Sequence, residues 1–155
     1  MKSNLNEFNP ILHGGDNVAV MEKKYYNYKN HKETHKIKPV IIIPARYESS
    51  RLPGKPLKII HGTSMLQRTY ERCIQALPEQ DVYIATDDIK IEKHCKNFNA
   101  NVLMTATSCL TGTDRIAEAS KHIKCDVVIN VQGDEPIINP VDIREVVNAT
   151  IEHPG

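Results

Sequence analysis

The chain has 155 residues, 25% of them charged and 40% hydrophobic, with a formal net charge of +1. A chain of this length buries roughly 70% of its unfolded surface, enough for one core, so one domain is expected. The balance of 20 basic against 19 acidic side chains gives no whole-molecule field for nucleic acid or an anionic membrane. An aromatic content of 5%, without Trp, argues against a base-stacking surface.

No run approaches the ~20 apolar residues of a membrane-spanning helix. Met1-Lys2-Ser3-Asn4 does not open the apolar core of a secretory signal. Cys73, Cys95, Cys109 and Cys125 stand 22, 14 and 16 residues apart, which is neither a CxxC pair nor a zinc spacing. Reduced thiols in a cytoplasmic protein are expected.

Residues 1–39 differ from the rest, with seven lysines against four acids; the remainder has 13 basic against 15 acidic side chains. Stretches such as Lys23-Lys24-Tyr25-Tyr26-Asn27-Tyr28 sustain no apolar period. Residues 1–37 are therefore read as a disordered extension and 38–155 as the folded unit. The segment contains no Arg and holds Glu7, Asp16, Glu22 and Glu33, so a transit peptide is disfavoured.

From Lys38 onward strands and helices alternate. Val40-Ile41-Ile42-Ile43 is a β-branched run ended by Pro44, apolar on both faces as a buried parallel strand requires. A helix follows from Ser64-x-x-Gln67, a capping box, with Leu66, Tyr70, Cys73, Ile74 and Leu77 at helical spacing. Val82–Ala85 is the second strand, and Asp87 or Asp88 caps a helix running to Phe98. Residues 100–104 form the third strand, before a helix whose face is Ile116, Ala119, Ser120 and Ile123. Val127–Val131 is the fourth strand. Asn139-Pro140-x-Asp142 then supplies a cap, a first-turn proline and an early acid for the last helix. The fold class expected is α/β, a parallel three-layer sheet with helices on both faces. Ligands bind such sheets beyond the carboxyl ends of the strands, so the loops after Ile43, Ala85, Met104 and Val131 should hold the site.

The first of these loops carries Arg46, Arg51 and Lys55, with Ser49 and Ser50 as neutral donors and Gly54 for close approach. Three cations on a proline-stiffened loop suit an anion with several charges, above all a polyphosphate. It is not a Walker A loop, because Ser49 and Pro56 stand where that motif needs Gly and Ser/Thr. It is not GxGxxG either, which disfavours a dinucleotide site. After the fourth strand, Gln132-Gly133-Asp134-Glu135-Pro136 places Asp134 at the same sheet edge. A carboxylate beside phosphates is how Mg²⁺ is commonly held; taken alone, the same residues suit a turn or a cap. Thr111-Gly112-Thr113-Asp114-Arg115 opens the third helix, either with N–H groups turned to a ligand or with an ordinary threonine cap.

Residues 41–47 and 51–57, together with Ala85-Thr86-Asp87-Asp88, residues 111–115 and residues 130–136, resemble in order the motifs of 3-deoxy-manno-octulosonate cytidylyltransferases, the CMP-Kdo synthetases. The resemblance covers about residues 38–153. It implies attack of the anomeric hydroxyl of Kdo on the α-phosphate of CTP, giving CMP-Kdo for lipopolysaccharide or a related glycan, and pyrophosphate. It implies Arg46, Arg51 and Lys55 on the triphosphate, Asp134 on Mg²⁺, and Arg46, Lys55 and Asp134 as the catalytic set. Pro44, Ala45, Ser49, Thr111, Gly112 and Gln132 would lie along the nucleotide. Partners implied are CTP and Kdo, with a homodimer, and with no nucleic acid or membrane.

Cys109 stands where many members of that family carry His, and Thr111 where many carry Ser. The family lacks a tail like residues 1–39, and it continues beyond the point matching Gly155 with sugar-binding residues, a second metal-binding Asp and dimerisation strands. The chain is therefore expected to hold the CTP-binding half, with little synthesis alone. Other readings are an acylneuraminate or amino-Kdo cytidylyltransferase, and a non-catalytic nucleotide-binding module.

Overall fold

In the computed structural model, residues 8–13, 18–23, 36–49 and 51–152 are described. The central strand β3 (Pro39–Pro44) has Val40, Ile41, Ile42 and Ile43 fully buried. It lies between β8 (Val127–Val131) and β6 (Val82–Thr86), and β7 (Asn101–Met104) lies outside β6. These four strands are parallel. Two hairpin strands, β4 (Ile59–Ile60) and β5 (Thr63–Ser64), form a separate small ladder.

Alternation along β3 divides the core. Ile41 and Ile43 face the helices α1 (Met65–Ile74), α2 (Ile89–Lys96) and α4 (Pro140–Glu152) through Leu66, Ile91 and Ile143. Val40 and Ile42 face α3 (Gly112–Ala119) through Ile116 and Ala119. A strand buried on both faces can have no polar side, which is why its sequence is a continuous β-branched run. Among the described residues, no helix is long and apolar enough to cross a membrane.

The expected helices are present, with altered ends. Ser64 caps α1 by accepting from the Gln67 N–H at 3.1 Å, but the Gln67 amide bonds Glu71 at 3.0 Å instead of closing the box. Asp88, not Asp87, caps α2, which stops at Lys96 rather than Phe98. The third helix ends at Ala119, and a 3₁₀ turn over Ser120–His122 leaves Ile123 beyond it.

The reading of 1–37 as disordered needs correction where the structure describes that segment. Strands β1 (Phe8–His13) and β2 (Val18–Lys23) form an antiparallel pair, and β2 runs antiparallel to β8 from Val18 opposite Val131 to Glu22 opposite Val127. All five residues of β8 are buried, and a backbone edge at that depth needs hydrogen-bond partners. Main-chain pairing supplies them without a strong side-chain pattern. The rest of residues 1–35 lies outside the described residues.

One titrating group sits inside this framework. His94 Nε2 is 2.6 Å from the Ser64 hydroxyl, and its ring meets Phe98 edge-on at 5.5 Å. Burial pushes the His94 pKa below its ordinary value. The unfolded chain then binds more protons than the folded one in acid, so this contribution is complete above the unfolded value of about 6.5 and is lost below it. Thermal midpoints should fall as pH drops from about 7 to 5, and less steeply in His94→Gln.

Candidate functional site

Across the sheet the four parallel strands run fourth, first, second, third in chain order. The winding direction therefore reverses between β8 and β3, the place where open α/β sheets bind ligands. The loops leaving those two strands carry the basic cluster and Asp134.

The loop after β3 is held at several points. Its Ala45 N–H donates to the Ala85 carbonyl at 2.8 Å, and the Gly54 N–H donates to the Tyr47 carbonyl at 2.7 Å. Gly54 has φ 68°, and a Cβ there would lie 3.2 Å from the Tyr47 ring. Both facts require glycine at this position. The Ser49 hydroxyl accepts weakly from the N–H groups of Arg51 and Leu52 at 3.4 Å, so Ser49 shapes the turn. A 3₁₀ turn over Lys55–Leu57 follows, with Pro56 in its first turn. Arg51 is exposed.

From this turn the Lys55 Nζ donates to Asp134 Oδ2 at 2.7 Å across the switch point. The two side chains are 41% and 45% exposed, so the pair adds little to stability and stays open to a ligand. The Asp134 loop is fixed from beneath, where the buried Thr69 hydroxyl lies 3.3 Å from the Gly133 carbonyl. A Cβ on Gly133 would lie 3.0 Å from the Pro44 carbonyl. Gly133→Ala should therefore push the two site loops apart and cost about 1–3 kcal/mol, read as a lower thermal midpoint. An unchanged midpoint would show that the loops do not meet this closely. Gln132 is exposed and donates to Asn130 at 3.2 Å.

Arg46 turns the other way. Its Nη1 donates to the Leu110 carbonyl at 2.8 Å. Beside it lies an open cleft of about 300 Å³, formed by Arg46, Tyr47 and Glu48 after β3, Asp87 and Asp88 after β6, Thr107, Cys109 and Leu110 after β7, and Arg115 of α3. The Lys90 ammonium lies 4.3 Å from the Tyr47 ring centre, bracing one wall. Three of the four expected loops thus line one cleft. The fourth adjoins it through the Lys55–Asp134 pair and does not line it.

The opening of α3 is a complete capping box. The Thr111 hydroxyl accepts from the Asp114 N–H at 3.0 Å, and Asp114 accepts from the Thr111 N–H at 3.1 Å. The ordinary-cap reading of Thr111 is the one realised. A Cβ on Gly112 would lie 3.4 Å from the Pro44 ring, so the helix start sits close against the end of β3.

Three thiol and carboxyl shifts describe the neighbourhood. Burial and a 3.0 Å hydrogen bond to Glu118 push the Cys109 thiol up, and that bond staples its loop. Glu118 is pushed down by that bond and by the Ala106 N–H. Burial raises Glu135 and the adjacent Asp134 charge raises it further, with Lys55 opposing. The sequence offers Asp114 or the neighbouring loops as partners of Arg115, and the structure has the loops; the part played by Tyr47 was missed, having no spacing signature.

Among the described residues no group of three or more His, Cys, Asp or Glu side chains could cage a metal. Asp134 offers one accessible carboxylate at the ligand edge. That donor set fits a hard cation whose other ligands are phosphate oxygens and water, the usual mode for Mg²⁺ with a nucleotide.

The doubly wound sheet thus carries a cationic loop and a carboxylate facing each other at its switch point, on a fold shared with nucleotidyltransferases. A family model described as cytidylyltransferase matches residues 40–154, and the chain belongs to that family. It is 46% identical over 117 residues to the 3-deoxy-manno-octulosonate cytidylyltransferase of Protochlamydia amoebophila, covering 73% of this chain and 45% of that protein. It is 45% identical over 118 residues to the 8-amino-3,8-dideoxy-manno-octulosonate cytidylyltransferase of Shewanella halifaxensis, covering 74% and 48%. A solved structure of CMP:2-keto-3-deoxy-manno-octonic acid synthetase complexed with CTP superposes with a TM-score of 0.73 at 43% identity, covering 76% of this chain and 49% of that one. The chain spans about half the length of the relatives it matches.

Proposed function

We propose that this chain carries the CTP-binding half of the cytidylyl transfer from CTP to 3-deoxy-D-manno-octulosonate. In that reaction the anomeric oxygen of the sugar forms a bond to the α-phosphorus. The bond from that phosphorus to the bridging oxygen breaks, its electron pair leaves on pyrophosphate, and the hydroxyl proton passes to solvent. The observation that carries the reading is the Lys55–Asp134 contact at the switch point, on the same loop as Arg46 and Arg51.

Charge builds on the phosphate oxygens and on the leaving pyrophosphate. Fixed cations placed beforehand stabilise it with no reorganisation. Arg46, Arg51 and Lys55 hold the triphosphate in this reading. Asp134 would hold Mg²⁺, which when bound neutralises phosphate charge. Pro44, Ala45, Gly112 and Gln132 border the nucleotide; Ser49 and Thr111 support it mainly by shaping the loop and helix start that they cap. The same reading puts the protein in the cytoplasm, where four buried thiols stay reduced. It carries the homodimer as an implication of the family.

The near-equal identity to the amino-sugar enzyme favours 8-amino-3,8-dideoxy-manno-octulosonate as the second acceptor. Calorimetric titration of the 155-residue chain with CTP and Mg²⁺, against GTP, tests the nucleotide half. Binding that prefers CTP is expected, and absence of CTP binding overturns the proposal. Product formation with each sugar in turn then decides the acceptor, and CTP binding without turnover favours a binding module.

A further inference from the structure

The molecule buries one full positive charge that the reaction above does not use. Among the described residues Arg115 is the largest fully buried side chain, at 0% exposure. Its Nη1 donates to the Thr105 hydroxyl at 2.5 Å, and its Nη2 meets Asp87 Oδ2 at 3.2 Å and the Cys109 carbonyl at 3.4 Å. Its Nε finds no partner among the described residues. Burying a guanidinium against a single, partly exposed carboxylate is costly, and an apolar residue of similar volume would often serve stability as well.

What the guanidinium does connect is specific. Thr105 and Cys109 stand at two points of the loop from β7 into α3, and Asp87 follows β6, so one side chain ties two site loops together and pins one of them twice. The neighbour of Cys109 is Leu110, whose side chain is 79% exposed. That side chain therefore does little to fix the Leu110 backbone, which leans on polar anchors. Those anchors include Arg115 on the Cys109 carbonyl, Glu118 on the Cys109 thiol at 3.0 Å and on the Ala106 N–H at 2.8 Å, and, on the far side of Leu110, Asp114 on the Thr111 N–H at 3.1 Å. The Leu110 carbonyl in turn is the acceptor on which Arg46 rests.

We propose that Arg115 is a positioning residue for the nucleotide: through the Cys109–Leu110 peptide it sets where the Arg46 guanidinium stands. This rests on the CTP-binding reading above. Arg115 need not touch CTP. A planar fork is required, because a lysine ammonium cannot reach a hydroxyl, a carboxylate and a carbonyl from one buried point in this arrangement.

The test uses Thr105→Val, which removes the Nη1 acceptor at nearly constant volume, and Thr105→Ser, which keeps the hydroxyl. Both are titrated with CTP and Mg²⁺ in the parent chain and in an Arg46→Ala background. Thr105→Val should weaken CTP binding about tenfold in the parent and less than about twofold without Arg46, because coupled residues are not additive. Thr105→Ser should stay within about twofold of the parent. Amide exchange at Ala106 and Cys109, followed without nucleotide, should accelerate in Thr105→Val and not in Thr105→Ser.

An equal penalty with and without Arg46, or an unaltered affinity, overturns the proposal. If Thr105→Val does not fold, Asp87→Asn takes its place in the same cycle. A parent chain that binds no CTP overturns the function instead. Exchange at Ala106 and Cys109 then still judges the clamp, and unchanged protection in Thr105→Val overturns it.

Discussion

Lys55→Ala should weaken binding of CTP with Mg²⁺ roughly 100-fold while leaving the thermal midpoint almost unchanged. The two readouts separate because the side chain and its backbone have different supports. The loop around Lys55 is held by the Gly54 N–H on the Tyr47 carbonyl at 2.7 Å, the Leu57 N–H on the Gly54 carbonyl at 2.9 Å, and Pro56. None of these uses the ammonium. The ion pair with Asp134 is about half exposed at both ends, and such pairs contribute about 1 kcal/mol or less. A triphosphate changes the balance, because it brings several negative charges to a cation already fixed in place. Where the acceptor sugar is turned over, the rate should drop about 10²–10³-fold. Near-parental affinity in Lys55→Ala, at matched folding, would remove Lys55 from the site and with it the central contact of the functional reading.

The parallel core was legible because its strands are buried on both faces. Val40–Ile43 and Val127–Val131 have no polar side to confuse the pattern, and Pro44 and the Gln132-Gly133 turn mark their ends. Helix starts were legible for a related reason, since Ser64, Asp88 and Thr111 are residues whose short side chains reach the orphan N–H groups. Helix ends were not, because Lys96 and Ala119 give way to turns without a proline or glycine stop. Strands β1 and β2 were hidden by composition. Val18-Ala19-Val20-Met21 is a short apolar run, but the surrounding Asn, Lys and Tyr outweigh it, and backbone pairing to β8 leaves no periodic trace.

The site divides in the same manner. Residue types at a sheet edge point to a polyanion site at Arg46, Arg51 and Lys55, and that remains the proposal. They could not announce that Arg46 rests on Leu110, sixty-four positions away, or that Lys55 reaches Asp134, since both contacts depend on strand order. Arg115 was hardest to read. A charged residue on a short helix ordinarily faces water, and only the packing of α3 on Val40 and Ile42 turns this one inward.

Asp134→Asn should change sign with the metal. In CTP held metal-free by a chelator, the Asp134 carboxylate opposes binding twice. It occupies the Lys55 ammonium at 2.7 Å, and it repels the phosphates. Neutralising it frees the lysine and removes a like charge, so metal-free CTP should bind several-fold tighter, by about 1 kcal/mol. With Mg²⁺ present the same substitution removes the carboxylate that would hold the cation, and binding should weaken about tenfold or more. The bonds holding the loop, from Thr69 to the Gly133 carbonyl and from the Glu135 N–H to the Gln132 carbonyl, do not involve the Asp134 side chain, so folding should be spared. Placing the substitution in Lys55→Ala supplies the internal check. Without the ammonium there is no ion pair to release, so the metal-free gain should shrink to the repulsion alone, while the loss with Mg²⁺ should persist. Calorimetry of the four chains in chelator and in Mg²⁺ reads all of this. Should Asp134→Asn shift affinity in the same direction under both conditions, the carboxylate is a partner of Lys55 only, and the metal must be held elsewhere.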